Sequence, residues 1–222
     1  MIIGVNGKIG SGKDTVGRMI QYLTSEYRDK YSFADWRDRV ENYNSNTYSP
    51  WEIKKFAGKL KQTVSLLTGI PVEKFEDQEF KKTNLGPEWD TELEYVIPMT
   101  VREFLQKLGT EAMREGLHTN VWVNALFADY KIFNEPSMYP NGGGGKEPNW
   151  IITDMRFPNE MEAVELREGV TIKVVRSGTS VGTHPSETAL DDAKFDYVII
   201  NDGTIEDLIE KVREVLIKEQ II

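Results

Sequence analysis

Five short runs of β-branched and other apolar residues, each closed by a turn or polar residue, alternate with stretches whose apolar positions recur at helical spacing. The runs are Ile2 to Asn6, a weaker one from Glu52 to Phe56, Trp150 to Thr153, Thr171 to Val175 and Tyr197 to Ile200. Near-continuous apolar character marks strands covered on both faces. The pattern therefore predicts an α/β fold, a parallel five-stranded sheet flanked by helices. Helices are expected from Lys13 to about Tyr27, from the end of the second run to the Gly69-Ile70-Pro71 stop, from Val121 to Phe133 and from about Pro158 to Arg167. Thr100-Val101-Arg102-Glu103 is a capping box, and Val101, Phe104, Leu105 and Leu108 follow it at i, i+3, i+4 and i+7. A last helix opens at Thr204 with Asp207 in the capping position, and places Ile205, Leu208, Ile209, Val212, Val215 and Leu216 on one face. Residues 29–50 read as an irregular polar insertion, residues 73–98 as a surface excursion, and the four glycines between Asn141 and Lys146 as a flexible loop.

With 222 residues, 39% of them hydrophobic, and no internal repeat, the chain is expected to form one domain over 1–222. It has no cysteine and two histidines, which excludes a disulfide scaffold, a thiolate zinc site and a cysteine nucleophile. The net charge of −9 argues against extended contact with nucleic acid or anionic lipid. No apolar run is long enough to span a bilayer, so a soluble cytoplasmic protein is expected. Any phosphate it handles must sit in a local pocket.

The chemistry concentrates at strand ends. Gly7-Lys8-Ile9-Gly10-Ser11-Gly12-Lys13-Asp14-Thr15 lies between a predicted strand and a predicted helix and is nearly a phosphate-binding loop. Its glycines let backbone amides face phosphate oxygens, Lys13 reaches the terminal groups, and the helix start adds partial positive charge. Asp14 stands where Ser or Thr normally ligates magnesium, leaving the metal to Thr15 or to Asp14 itself. Asp154-Met155-Arg156-Phe157-Pro158-Asn159-Glu160 ends a buried strand, where open parallel sheets bind ligands. There Asp154 suits a magnesium carboxylate and Arg156 suits charge on a transferring phosphoryl group. Asn201-Asp202-Gly203-Thr204 follows the last strand as a tight turn or as a wall of an adenine pocket. Arg102, Gln106, Gly109 and Thr110 align on one helix face with Arg114 a turn beyond, while Trp122 serves as core or as a stacking platform. A serine triad using His184 lacks the required nucleophile turn.

Together these residues resemble the bacteriophage deoxynucleoside monophosphate kinases of the P-loop kinase superfamily. The resemblance rests on Gly12-Lys13-Asp14-Thr15, Lys55-Phe56-Ala57 with Leu60-Lys61, and Arg102 with Leu105-Gln106 and Leu108-Gly109-Thr110-Glu111. It continues through Trp122-Val123, Thr153 to Glu160, His184-Pro185-Ser186-Glu187 and Asn201 to Thr204. It implies a P-loop kinase fold with a monophosphate-binding insertion at about 29–133 and a lid at about 176–195. The implied reaction moves the γ-phosphoryl of ATP to a deoxynucleoside 5′-monophosphate with Mg2+, in the cytoplasm of the host cell for a phage-encoded enzyme. Gly10, Ser11, Gly12, Lys13, Asp14, Thr15, Arg176, Asn201, Asp202 and Gly203 would then bind ATP, and Asp14, Thr15 and Asp154 the metal. Lys55, Phe56, Ala57, Arg102, Gln106, Gly109, Thr110, Arg114, Trp122 and Glu160 would face the acceptor, with Lys13, Arg102, Asp154 and Arg156 catalytic. No stable nucleic-acid or membrane partner is expected, and a homodimer is one assembly left open. A P-loop kinase for another phosphorylated acceptor, such as dephospho-coenzyme A or phosphomevalonate, and an ATP-sensing module without transfer are the competing readings.

Overall fold

The computed structural model describes residues 1–43, 47–92, 96–131, 147–179 and 185–222. In chain order its elements are β1 (Ile2–Gly7), α1 (Lys13–Leu23), α2 (Phe33–Asn42), β2 (Trp51–Lys54), α3 (Phe56–Thr68), β3 (Thr91–Glu92), β4 (Val96–Ile97), α4 (Val101–Gln106), α5 (Val121–Phe127), β5 (Asn149–Ile152), α6 (Pro158–Glu165), β6 (Val170–Val175), α7 (Pro185–Thr188), β7 (Tyr197–Ile200) and α8 (Ile205–Lys218). They fall into two compact units, Met1–Lys55 with Asp129–Ile222, and Phe56–Ala128. No helix among the described residues is long and apolar enough to cross a membrane.

The first unit holds the five-stranded sheet, ordered β2-β5-β1-β6-β7, with every neighbouring pair parallel. β1 is central, so its residues must suit helices on both sides. Ile3 and Val5 pack with Val16, Met19 and Ile20 of α1 and with Leu208 and Val212 of α8. On the opposite face a side chain at Gly4 would meet Met155 and Val164 at 3.0 and 3.2 Å, so the absence of one there lets α6 and the loop before it lie close. Because all five strands run the same way, the residues after β1, β2, β5, β6 and β7 gather at one edge of the sheet.

Several boundaries differ from those read in the sequence. The first helix stops at Leu23, where the Thr24 hydroxyl donates to the Ile20 carbonyl at 2.7 Å and closes the turn. The second strand ends at Lys54, and Phe56 already belongs to α3. The segment taken as an irregular insertion contains α2, capped by the Ser32 hydroxyl accepting from the Asp35 amide at 3.1 Å. Phe33 and Trp36 of α2 are buried against the Tyr22 ring, with centroids 5.6 and 5.7 Å away. Burying each such ring contributes about 1.5–3 kcal/mol, enough to hold an otherwise charged helix on the core. The helix expected to run from Val121 to Phe133 ends at Phe127, where the Ala128 amide closes the last turn on Asn124. Phe133 itself, the tetraglycine loop and His184 lie outside the described residues.

The second unit has its own small core, in which Val64, Phe75 and Val101 are buried among Leu60, Phe80, Leu85, Phe104, Leu105 and Leu108. Phe75 corrects the reading of 73–98 as purely surface. It sits in a 3-10 turn, Val72–Glu76, too short to show a helical period. The capping box is present, with the Glu103 amide donating to Thr100 Oγ1 at 3.2 Å and the Thr100 amide to Glu103 Oε2 at 2.8 Å. Beyond α4 the helix widens into a π-helix, Lys107–Glu115. There the Trp122 indole N–H donates to the Gly109 carbonyl at 2.9 Å, and a Cβ on Gly109 would lie 2.7 Å from Leu60 Cδ2.

Candidate functional site

The loop after β1 is shaped by two glycines in the left-handed region, Gly10 at φ 81° and Gly12 at φ 96°. Between them the Ser11 amide donates to the Lys8 carbonyl at 3.1 Å, and the Val16 amide to the Gly12 carbonyl at 2.9 Å starts α1. Asn201, after β7, reaches across and donates from Nδ2 to the Ser11 carbonyl at 2.8 Å. A Cβ on Gly12 would lie 2.5 Å from that same nitrogen. Ser11 is 1% exposed, and its buried hydroxyl has no hydrogen-bond partner. A buried hydroxyl is costly to leave unpaired unless a ligand completes it.

Lys13 is largely covered, its Nζ 4.0 Å from Asp14 Oδ2. Burial pushes its ammonium below the ordinary lysine range; Asp14 opposes that shift, Arg156 adds to it, and Glu187 and Asp154 oppose it in turn. Asp14 turns toward β2 and β5. Its Oδ1 accepts from the Thr153 hydroxyl at 3.0 Å and lies 3.2 Å from Lys55 Nζ. Burial alone would raise the Asp14 carboxyl, but the Lys55 and Lys13 ammoniums and the bonds from Lys55 and Thr153 hold it below the usual carboxylate value.

The loop after β5 is anchored from below. Asn6 Nδ2 donates to the Met155 carbonyl at 2.8 Å, and Met155 is fully buried. Glu160, 2% exposed, accepts from the amides of Arg156 and Phe157 at 2.7 and 3.2 Å. Through these bonds Glu160, which the sequence reading placed toward the acceptor, shapes the loop that carries Arg156. The Arg156 guanidinium donates to Glu187 of α7. Asp202 accepts from the Ser177 amide at 2.7 Å and hydroxyl at 2.8 Å, bonds that hold its carboxyl low and tie the turn after Arg176 to the end of β7. A cavity of about 360 Å³ is lined by Gly7, Lys8, Arg156, Lys173, Arg176 and Glu187, among others. Another, of about 270 Å³, lies by Asp14, Thr15 and Lys55 with Arg18, Arg37 and Glu41.

The remaining expected residues belong to the second unit. Arg102 and Gln106 are exposed, Thr110 and Arg114 half-buried, and Arg102 Nη2 donates to Gln78 Oε1 at 3.3 Å. Gly109 does not share their open face. Its close neighbours are Leu60 and Trp122, because the π-helix alters the spacing on which the alignment was reasoned. Trp122 and Phe56 are buried, the latter with its ring 6.2 Å from Phe127, while Ala57 is half-buried. Sequence reasoning missed Asp191, and gave Lys8, Thr153 and Glu187 no role although the motifs that contain them were noted. Arg18, Arg37 and Glu41 were missed too; only the Phe33, Trp36, Val40 spacing at i, i+3 and i+7 signalled the helix that carries two of them.

Comparison with known proteins places this geometry in context. A family model described as deoxynucleotide monophosphate kinase matches residues 41–212. A protein of Acanthamoeba polyphaga mimivirus, provisionally named as a deoxynucleotide monophosphate kinase, is 27% identical over 96% of this chain and 94% of its own length. The deoxynucleoside-5′-monophosphate kinase of Escherichia phage T5 is 26% identical over 90% of this chain and 89% of its own. The deoxynucleotide monophosphate kinase of Enterobacteria phage T4 is 33% identical over 53% of this chain, a match that spans 45% of that relative.

Proposed function

Since the chain belongs to the deoxynucleotide monophosphate kinase family, a family of nucleotide kinases, we infer that it transfers the terminal phosphoryl group of ATP to the 5′-phosphate of a deoxynucleoside monophosphate. The observation that carries this reading is the loop at the head of α1, where Gly12 passes against Asn201 and the buried Ser11 hydroxyl lacks a partner beside Lys13. Such a cradle fits a polyphosphate. The loop amides and Ser11 would bind the β- and γ-phosphates, with Lys13 countering charge at the transferring group. Arg156 would meet the charge that develops as the bond to the leaving oxygen lengthens. Phosphoryl transfer has a loose transition state, so alignment and charge do most of the catalysis and no strong base is required.

ATP and a monophosphate bring about six negative charges at neutral pH. A magnesium ion shared with the phosphates would take Thr15, Asp14 and Asp154 as oxygen donors on the protein side. When bound, Mg2+ supplies charge neutralisation on the phosphate oxygens. Arg176 and the turn at Asn201 to Gly203 would bound the nucleoside of ATP, with residues 176–195 as the covering segment. Lys55, Arg102, Gln106, Thr110 and Arg114 are the acceptor contacts in this reading. The acidic net charge supports small-molecule substrates without a stable nucleic-acid partner, and the cytoplasm of a host cell is the compartment implied.

The test is an acceptor screen. Purified protein with Mg2+-ATP is offered each of the four deoxynucleoside monophosphates, dephospho-coenzyme A and phosphomevalonate, and ADP release is followed. ADP release dependent on at least one deoxynucleotide, abolished by Lys13→Ala in a protein that still folds, is the expected result. Release with none of the four overturns the proposal.

A further inference from the structure

The cations around the phosphate loop do not stand alone. Arg156 donates to Glu187, and Lys8 Nζ lies 3.4 Å from Asp191 Oδ2. Both carboxylates come from one short stretch that starts with α7, and Lys173 Nζ fastens that stretch by donating to the carbonyls of Leu190 and Asp191 at 3.1 and 2.8 Å. The Glu187 side chain is 9% exposed, too enclosed for an incidental surface pair. Lys13 lies within the fields of both Arg156 and Glu187. Three positive groups, Lys8, Lys13 and Arg156, therefore lie around one loop, where Glu187 gives the Arg156 guanidinium an opposing charge at hydrogen-bond distance. The Arg156 backbone is fixed by Glu160, but a backbone anchor does not set four side-chain torsions.

We propose that Glu187 is the positioning residue of Arg156, holding its guanidinium at the rim of the phosphate loop so that the arginine meets the transferring group already aligned. The proposal rests on the kinase reading above. A planar guanidinium has five donors in a fixed fork, so one carboxylate can orient it while other donors address phosphate oxygens. The role also explains the His184-Pro185-Ser186-Glu187 motif, whose last residue enters the site through Arg156. Because Glu187 acts through another side chain, its removal should lower the rate of transfer and leave ATP capture by the loop amides and Lys13 largely intact.

The experiment is a double-mutant cycle on the full chain with Glu187→Gln, Arg156→Gln and the double variant. For each, kcat and the KM for ATP are measured with a saturating deoxynucleoside monophosphate, and binding of a fluorescent ATP analogue is measured without acceptor. Glu187→Gln should lower kcat by about 10-fold and change KM and analogue binding by less than about 3-fold. The double variant should be no slower than Arg156→Gln alone. Multiplicative losses in the double variant, or a Glu187→Gln enzyme with unchanged kcat, would overturn the proposal. So would tighter nucleotide binding with kcat retained, since Glu187 would then be a phosphate stand-in displaced by ATP. Should Glu187→Gln fail to fold, Glu187→Asp replaces it, with the same coupling to Arg156 expected. An unmutated protein inactive with every deoxynucleotide defeats the kinase reading instead, and analogue binding still reports on the loop.

Discussion

Replacing Gly12 with alanine separates two demands that the phosphate loop places on one residue. At φ 96° any side chain is strained, which costs about 1–2 kcal/mol. Gly10, at φ 81° with nothing within 4 Å of an added Cβ, bears the strain alone. At Gly12 the new carbon would also sit 2.5 Å from Asn201 Nδ2, roughly 1 Å inside ordinary contact, so Asn201 must move off the Ser11 carbonyl. Losing that bond adds about 0.5–1.5 kcal/mol, giving a total near 2–3 kcal/mol. At about 2–4 °C per kcal/mol for a chain of this size, Gly12→Ala should melt roughly 5–10 °C lower than the parent, and Gly10→Ala about half as far below it. Thermal unfolding by circular dichroism reads both values, and titration with a fluorescent ATP analogue reads the loop. In an Asn201→Ala background the contact is gone, so Gly12→Ala should cost only what Gly10→Ala costs. Equal melting temperatures for the two alanine variants, or a Gly12→Ala cost unchanged by Asn201→Ala, would refute the close approach on which the loop's shape depends.

Other substitutions probe neighbouring parts. Glu160→Ala strips the acceptor from the amides of Arg156 and Phe157 and should cost about 2–4 kcal/mol in denaturant unfolding, with Glu160→Gln costing about half as much because one oxygen remains. Trp122→Phe keeps a buried ring but removes the donor to the Gly109 carbonyl, and should destabilise by about 1 kcal/mol, read as faster hydrogen exchange in the 107–115 helix. Asp14 has a depressed carboxyl value. Its contribution to stability is therefore complete above the ordinary value of 3.8 and fades as pH falls through the lower folded value, so Asp14→Asn should flatten the acid limb of a stability–pH curve. Asp14 is also the group that most opposes the lowering of Lys13. Its loss should move the alkaline limb of the pH–rate profile to lower pH, and an unmoved limb would exclude Lys13 as its source.

The sheet was legible because buried parallel strands are continuous apolar runs, and all five were found within a residue or two. Both capping boxes showed for the same reason: a Thr at the cap and an acid three residues on satisfy local amides whatever the tertiary context. α2 was missed because its only large apolar residues are Phe33, Trp36 and Val40 in a mostly charged segment, and the Tyr22 ring against which the two aromatics are buried comes from α1. The π-helix was not legible, since the apolar spacing of Val101 to Leu108 reads equally as ordinary helix, and the Trp122 donor that meets the Gly109 carbonyl comes from the next helix. Within the site, the loop and the strand end at Asp154 and Arg156 were visible as spacing. The pairings of Asp14 with Lys55 and of Arg156 with Glu187 were not, because each joins residues that only the folded chain brings near.

Phosphorus-31 NMR of one mixture tests the central claim most directly: the protein, Mg2+-ATP and a single accepted deoxynucleoside monophosphate. The deoxynucleotide's monophosphate resonance should give way to the pair of resonances of its diphosphate, in step with conversion of ATP to ADP and without inorganic phosphate. ADP accompanied by inorganic phosphate, with the monophosphate resonance undiminished for every deoxynucleotide, would show that the loop splits ATP without delivering its phosphoryl group to a nucleotide.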